Sequence, residues 1–267
     1  MRSEPRASAR ADLQATSSVS QRETYYAKAP FASDGTNTPE TPVRIPKALH
    51  SWSVTPKQAV QIQRQLAGRV IIEGRVGSLR LAAGADLAFS LDKQECVAGV
   101  VVWDVKAGEV VEQHVVRQRV RFPYVPGLLS FREAPAIVAA LRQLKREPDV
   151  FLFDGQGFAH PRRFGLACHM GLLIDRPSLG CAKSVLVGTC KTPGSTRGSV
   201  TSLEHDGECV GMAVRTRDRV KPVYVSAGHR LSLEAAVEIT LACSAGYRLP
   251  EPTRLADKLV TRERACV

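Results

Sequence analysis

The sequence predicts a mixed α/β fold, and three observations carry that expectation. Three strand-like runs follow one another on short connections, an amphipathic helix succeeds them, and apolar strands then alternate with helical stretches towards the end of the chain. With 267 residues, 44% of them hydrophobic, the chain can supply a full core.

Taken in order, residues 1–50 show no periodic apolar pattern. Ser, Thr, Ala, Pro and scattered charges dominate, which predicts a disordered extension ahead of a folded domain over 51–267. The extension carries seven basic and five acidic side chains, so +2 of the chain's net charge of +11 lies there and +9 lies on the domain. Order is expected from near Trp52. Thr55-Pro56-Lys57-Gln58 then opens a helix, with a threonine N-cap, proline at the first helical position and Ala59, Ile62, Leu66 and Val70 at helical spacing. Beyond it the period changes to alternation. Residues 79–90, 95–105 and 109–120, turning near Asp92-Lys93 and Lys106-Ala107-Gly108, predict an antiparallel meander.

Two prolines stiffen the loop Phe122-Pro123-Tyr124-Val125-Pro126-Gly127 around an aromatic tip. Residues 129–145 follow as an amphipathic helix, and 150–153 as a short buried strand that stops at Asp154. A helix over 164–173, strands over 181–188, 210–216 and 222–226, a helix over 233–247 and a short charged C-terminal helix complete the expectation. This order is that of a ribonuclease H-like mixed sheet, an antiparallel three-strand meander extended by parallel strands and flanked by helices.

Composition narrows the partner. A basic domain favours a polyanion, and nucleic acid is the commonest, because basic side chains release counterions from phosphates. Seven cysteines with no C-x-x-C spacing speak against a zinc ribbon and a secreted disulfide framework, so a cytoplasmic protein with reduced thiols is expected. No apolar run reaches membrane-spanning length, so no membrane partner is expected, and a monomer is the default.

Acids in apolar surroundings need a reason to be there. Asp86 sits inside the first strand among Ala83, Gly84 and Ala85. Glu133 lies on the first turns of the helix after the meander, and Asp154 ends the next strand, ahead of Gly155-Gln156-Gly157. If the first strand is central and the strand over 150–153 pairs beside it, Asp86 and Asp154 are neighbours with Glu133 above them. An oxygen-only set of this kind suits Mg²⁺ or Mn²⁺, and two such ions would serve phosphodiester hydrolysis. Each acid also has a plainer reading alone: a bulge, an ion pair with Arg132, an Asp-Gly turn. Lys183 either holds a phosphate or orients a water, or is an edge-strand lysine. His229 either reaches the site as an outer ligand or proton carrier, or is an exposed loop histidine.

Five motifs resemble endonuclease V in order and spacing, over about residues 52–259. They are Phe122-Pro123-Tyr124-Val125-Pro126-Gly127-Leu128-Leu129-Ser130-Phe131-Arg132-Glu133; Phe153-Asp154-Gly155-Gln156-Gly157 with Ala159-His160-Pro161-Arg162; Gly180-Cys181-Ala182-Lys183-Ser184; Val225-Ser226-Ala227-Gly228-His229; and Leu249-Pro250-Glu251-Pro252-Thr253-Arg254. The resemblance implies a Mg²⁺-dependent repair nuclease, with Mn²⁺ able to substitute. It would recognise deaminated bases in DNA, deoxyinosine above all, and cut the second phosphodiester bond on the 3′ side to leave 3′-hydroxyl and 5′-phosphate ends. By motif position Asp86 and Asp154 would carry the metal, Glu133 and His229 complete the site, and Lys183 and His160 support water and phosphate. Tyr124, flanked by Pro123 and Pro126, would be the wedge that replaces an everted base in the stack. Gly127, Gly155 and Gly157 would let backbone amides approach that base. Two other readings stay open: an endoribonuclease acting on inosine in RNA, and a non-catalytic nucleic-acid binder on the same scaffold.

Overall fold

The computed structural model describes residues 43–46 and 48–264. The expected disordered extension falls mostly outside them, but its boundary at residue 50 lies within packed chain. Val43 is buried in the main core, and Ile45, Leu49 and Trp52 pack against it.

The helices are α1 (Pro56–Ala67), α2 (Leu129–Leu141), α3 (Leu166–Ile174), α4 (Leu233–Ala242) and α5 (Glu251–Arg264). The strands are β1 (Leu81–Phe89), β2 (Glu95–Asp104), β3 (Glu109–Arg119), β4 (Val150–Phe153), β5 (Ser178–Ala182), β6 (Val200–His205), β7 (Glu208–Val214) and β8 (Val223–His229). All eight form one sheet in the order β3-β2-β1-β4-β5-β8-β7-β6. The meander is antiparallel, β1–β4 and β4–β5 are parallel, and β8 returns antiparallel to β5. This is the expected ribonuclease H-like mixed sheet.

Local chemistry explains the main elements. Thr55 and Gln58 form the reciprocal capping box that starts α1 behind Pro56. The Asp104 carboxylate accepts the Lys106 and Ala107 N–H groups and closes the β2–β3 turn. Alternation along the central strands separates two cores. Leu81, Ala83, Ala85, Phe151 and Phe153 face α2 and α3, whereas Ala82, Val150, Leu152, Leu179 and Cys181 face α4. Helix α1 lies outside α2 and α3, with Ala59 against Phe122 and Phe131 and Leu66 against Phe164 and Cys168.

Four expectations need correction. β5 covers Ser178–Ala182 rather than 181–188, because the chain leaves the sheet at Lys183; Val185 and Leu186, which read as strand residues, are exposed. β6 was not expected, since Leu203 is its one fully buried residue and an edge strand needs no apolar alternation. The helix expected to reach 247 stops at Ala242, where Cys243 caps it. The C-terminal helix is not a short charged tail: α5 has 14 residues and buries Ala256, Leu259 and Val260 against the β1–β2 pair.

Two glycines let α5 lie so close. A Cβ on Gly84 would stand 2.1 Å from the Pro252 carbonyl carbon, and one on Gly99 would stand 2.6 Å from Val260 Cγ1. The first clash is with backbone and cannot be relieved by a rotamer change. Gly84→Ala should therefore lower stability by about 2–3 kcal/mol, or roughly 5–10 °C in Tm for a domain of this size, and reduce activity with it, since α5 carries a residue of the site described below. Thermal unfolding alongside a cleavage assay checks this; an unchanged Tm would contradict the packing argument.

Candidate active site

The site sits where β4 and β5 end, beside the stretch of β1 that runs on past them. Ala85 pairs with Phe153 across the parallel β1–β4 ladder, so Asp86 and Asp154 each come one residue after the last pair of neighbouring strands. Ala82, Leu152 and Cys181 face the α4 side. Continued alternation turns Asp86, Asp154 and Lys183 to that same side. Lys183 Nζ lies 2.6 Å from Asp154 Oδ2. Glu133 approaches the cluster from α2, close enough for the charges of Asp86 and Asp154 to act on its carboxyl.

A fourth carboxylate completes the group. Asp257, half-buried on α5, acts electrostatically on both Asp86 and Lys183. Its position follows from Gly84 beneath the first turn of α5 and from Gly99, the register partner of Asp86, beneath Val260.

The electrostatics are those of crowded, desolvated acids. Burial, then the charges of Asp154 and Asp257, pushes the Asp86 carboxyl up to about 8, against the opposing pull of the Leu87 N–H and Lys183. Burial, then Asp86 and Asp154, pushes Glu133 up to about 8 as well, with Arg132 opposing. For Lys183, burial works against its charge, but the hydrogen bond and charge of Asp154, with Asp257 and Asp86 behind, outweigh it and hold the ammonium above its ordinary value. Carboxyls whose folded-state values are raised bind protons more tightly folded than unfolded. Their effect is to weaken the fold as pH rises from the ordinary carboxylate range, 3.8 for Asp86, towards about 8.

Among the described residues, no three His, Cys, Asp or Glu side chains close on one point as a ready metal cage. The donor set nevertheless fits a hard divalent cation: it is all oxygen, and Asp86 and Glu133 repel their neighbours enough to resist ionising without a compensating positive charge.

Beside the carboxylates lies a cavity of about 280 Å³ lined by residues of the Tyr124 loop, Asp154, Gly155, Gln156 and the Lys183–Leu186 loop. Tyr124 stands at its lip with 70% of its surface exposed. Pro123 and Pro126 are exposed beside it. The loop behind this tip is held through one atom. The Gly127 carbonyl oxygen accepts from Gln63 Nε2 (3.0 Å), His160 Nε2 (3.0 Å) and Arg162 Nη2 (2.7 Å). Gly127 itself has φ +76°, a left-handed backbone that favours glycine, and a Cβ there would stand 2.8 Å from Arg162 Nη2, displacing the guanidinium from its bond.

Three residues expected at the site have other work. His160 lines the cavity but is buried, donates to Gly127 and accepts the Arg162 N–H at Nδ1 (3.1 Å), so both ring nitrogens are engaged by the loop. Burial, against the Gly127 bond, takes its ring down to about 4 and keeps it neutral. Gly157 donates its N–H to Ser226 Oγ (2.9 Å), and a Cβ on it would stand 2.1 Å from the Ala227 carbonyl oxygen; it packs β4's loop onto β8 and is not free for a ligand. Gly155 does line the cavity.

His229 is not at the site. It pairs with Ser178, at the start of β5, whereas Lys183 follows the end of β5. Five residues of strand separate the two levels, roughly 16 Å at about 3.3 Å per residue. There His229 is buried, accepts the Ile71 N–H at Nδ1 (3.2 Å) and donates from Nε2 to Asp175 Oδ1 (3.2 Å), tying the segment after α1 to the end of α3.

Asp257, Gln63 and Arg162 were not singled out from the sequence. Gln63 left a signal, a polar residue on the apolar face of α1 between Ala59 and Leu66. Asp257 left a weaker one, beside the buried Ala256 three residues after the Pro252-Thr253-Arg254 motif.

Known proteins resemble the chain closely. The family model described as Endonuclease V matches residues 64–258. An endonuclease V of Gloeobacter violaceus is 51% identical over 212 residues, 78% of this chain and 86% of that one. The crystal structure of an endonuclease V from Streptomyces avermitilis superposes with a TM-score of 0.77 at 42% identity, covering 85% of this chain and 100% of that one. An endonuclease V of Ciona intestinalis, solved in complex with a 24mer DNA containing an inosine followed by a ribo-adenosine, is 27% identical with a TM-score of 0.70, over 79% and 98% of the two chains.

The geometry separates two candidates for the fourth residue. Asp257→Asn should lower kcat by about 10²-fold or more, as loss of a charge at the reacting centre does. His229→Gln should leave kcat within about twofold while lowering Tm by a few degrees, through a lost buried hydrogen-bond pair. Steady-state kinetics and thermal unfolding of both variants check this, and an inactive, fully folded His229→Gln protein would contradict it.

Proposed function

The chain belongs to the endonuclease V family of DNA-acting nucleases, and from that premise we propose that it is a Mg²⁺-dependent repair endonuclease acting on deaminated bases, deoxyinosine first among them. Its product would be a nick at the second phosphodiester bond 3′ to the lesion, with 3′-hydroxyl and 5′-phosphate ends. The observation that carries this reading is the juxtaposition of the carboxylate cluster and Lys183 with a cavity whose lip is an exposed tyrosine.

Asp86 and Asp154, with Glu133 and Asp257 beside them, are the residues that would hold the divalent ions. A bound ion there supplies Lewis-acid polarisation of the phosphate and an acidified water. Lys183, tethered to Asp154, is placed to balance the charge of a phosphate brought to the carboxylates. Tyr124 fills the stack when a base leaves it, at low conformational cost because Pro123, Pro126 and the Gly127 carbonyl fix the loop behind it. The cavity lining combines polar Ser130, Gln156 and Ser184 with apolar Val125, Leu166 and Leu186, a mixture suited to a flat base with hydrogen-bonding edges. The basic balance of the domain supports a polyanionic substrate.

The same carboxylates and cavity would serve inosine in RNA, and the test includes that case. Matched DNA and RNA oligonucleotides carrying a single inosine are incubated with Mg²⁺, with Mn²⁺ and with chelator, and the cut is mapped. Cutting of the DNA at the second 3′ bond, abolished by chelator, is the expected result. Cutting of RNA alone would move the function to inosine-RNA turnover, and binding of both without cutting would leave a nucleic-acid-binding module.

A further inference from the structure

A hydrogen-bonded chain runs from the segment ahead of α1 into the cavity wall. His50 Nε2 stands 2.8 Å from His169 Nε2, and His169 Nδ1 stands 2.8 Å from the hydroxyl of Ser130, a cavity-lining residue. His50 is partly exposed, whereas His169 and Ser130 are buried. None of the three holds the carboxylates, and the function described above gives the two histidines no task.

The hydrogens of this chain can be placed by counting donors and acceptors. His50 Nδ1 lies 2.8 Å from the Ser51 carbonyl oxygen, which accepts and cannot donate, so that nitrogen carries a hydrogen. In the neutral ring Nε2 is then an acceptor, and His169 Nε2 must donate to it. His169 Nδ1 is thereby an acceptor, and Ser130 gives its hydrogen to it, leaving the Ser130 lone pairs for a neighbour. Addition of one proton reverses every link. His50 then donates from both nitrogens, His169 accepts at Nε2 and carries its hydrogen on Nδ1, Ser130 accepts that bond, and the Ser130 hydrogen is released for a neighbour.

Burial holds both rings below the ordinary histidine value, His169 down to about 3 with the charge of His50 adding to the effect. His169 therefore stays neutral in both states, and His50 takes up the proton. The groups facing the pair are Ser51 and Trp52 before α1, Ser130 and Phe131 on α2, and Phe164 ahead of α3. Among the described residues, no other titratable group is hydrogen-bonded or ion-paired to either ring.

We propose that His50, His169 and Ser130 form a proton relay that sets whether Ser130 acts as acceptor or donor in the cavity wall, and that in its neutral state Ser130 accepts from the N–H edge of a deaminated purine. The lactam of such a base carries a ring N–H where its amino-purine parent has a bare acceptor nitrogen, so an obligatory acceptor favours the former and repels the latter. The base reading rests on the proposed function; the relay does not. His169 and His50 are positioning residues in this scheme, since they act through Ser130.

The relay is tested on the full chain labelled with ¹⁵N-histidine, by NMR from about pH 7.5 down to about pH 4.5. The expected result is a His169 hydrogen on Nε2 at the upper end, moving to Nδ1 as His50 protonates below 6.5, with His169 neutral throughout. His50→Gln should abolish that shift. A His169 hydrogen already on Nδ1 at the upper end, or no shift while His50 protonates, would overturn the relay. For the base edge, Ser130→Ala should raise KM for inosine DNA roughly tenfold with little change in kcat, the signature of a lost binding hydrogen bond. An unchanged KM would overturn that half. Failure of the unsubstituted chain to cut inosine DNA would overturn it together with the proposed function, while the relay stands or falls on the NMR result, which uses no substrate.

Discussion

Repulsion among buried acids is the constraint around which the rest of the fold is arranged. Asp86 within β1 and Asp154 just past β4 lie side by side on neighbouring strands, Glu133 comes to them from α2, and Asp257 comes from α5. Each is brought there by packing elsewhere: Asp257 by α5 seated on Gly84 and Gly99, and Glu133 by the apolar face of α2 with Phe131, Ala134, Ile137 and Val138. The main core therefore holds together a cluster that electrostatics would disperse. Lys183 offsets part of the charge through Asp154, and a divalent ion is the natural complement for the remainder.

The cavity depends on a second constraint, the fixation of a loop by its carbonyl. Three donors from α1 and from the segment ahead of α3 converge on the Gly127 oxygen, and none of them reaches the carboxylates. Tyr124 can thus be exposed without being loosely held, as the proposed entry into a base stack would require. The carboxylate cluster and the cavity are built from different elements, joined at Asp154, which belongs to the one and lines the other.

Much of this was legible in the sequence, for identifiable reasons. Alternation and a short buried strand ending in Asp154 placed Asp86 and Asp154 together once the meander was seen, because a central first strand leaves one place for the next parallel strand. Glu133 followed from its helix. His229 was misplaced because sequence reports a strand, a turn and a helix without reporting which way the strand runs; β8 runs antiparallel to β5, and its histidine ends at the far pole of the sheet. Asp257 escaped because its position depends on two distant glycines, Gly84 and Gly99, that admit α5. Gly157 resembled a ligand-touching residue because motif position does not distinguish a group that meets a ligand from one that holds the backbone behind it.

The central claim, that unmet negative charge at the end of β4, beside β1, calls for a cation, is most directly tested by thermal unfolding of the unsubstituted chain and of Asp86→Asn, each in chelator and in saturating Mg²⁺ near pH 8. Removing one charge should raise Tm in chelator by several degrees, since the Asp86 carboxyl is held up to about 8 by burial and its neighbours. Mg²⁺ should stabilise the unsubstituted chain more than the variant and close the gap. An Asp86→Asn protein less stable than its parent in chelator, with neither responding to Mg²⁺, would contradict the account.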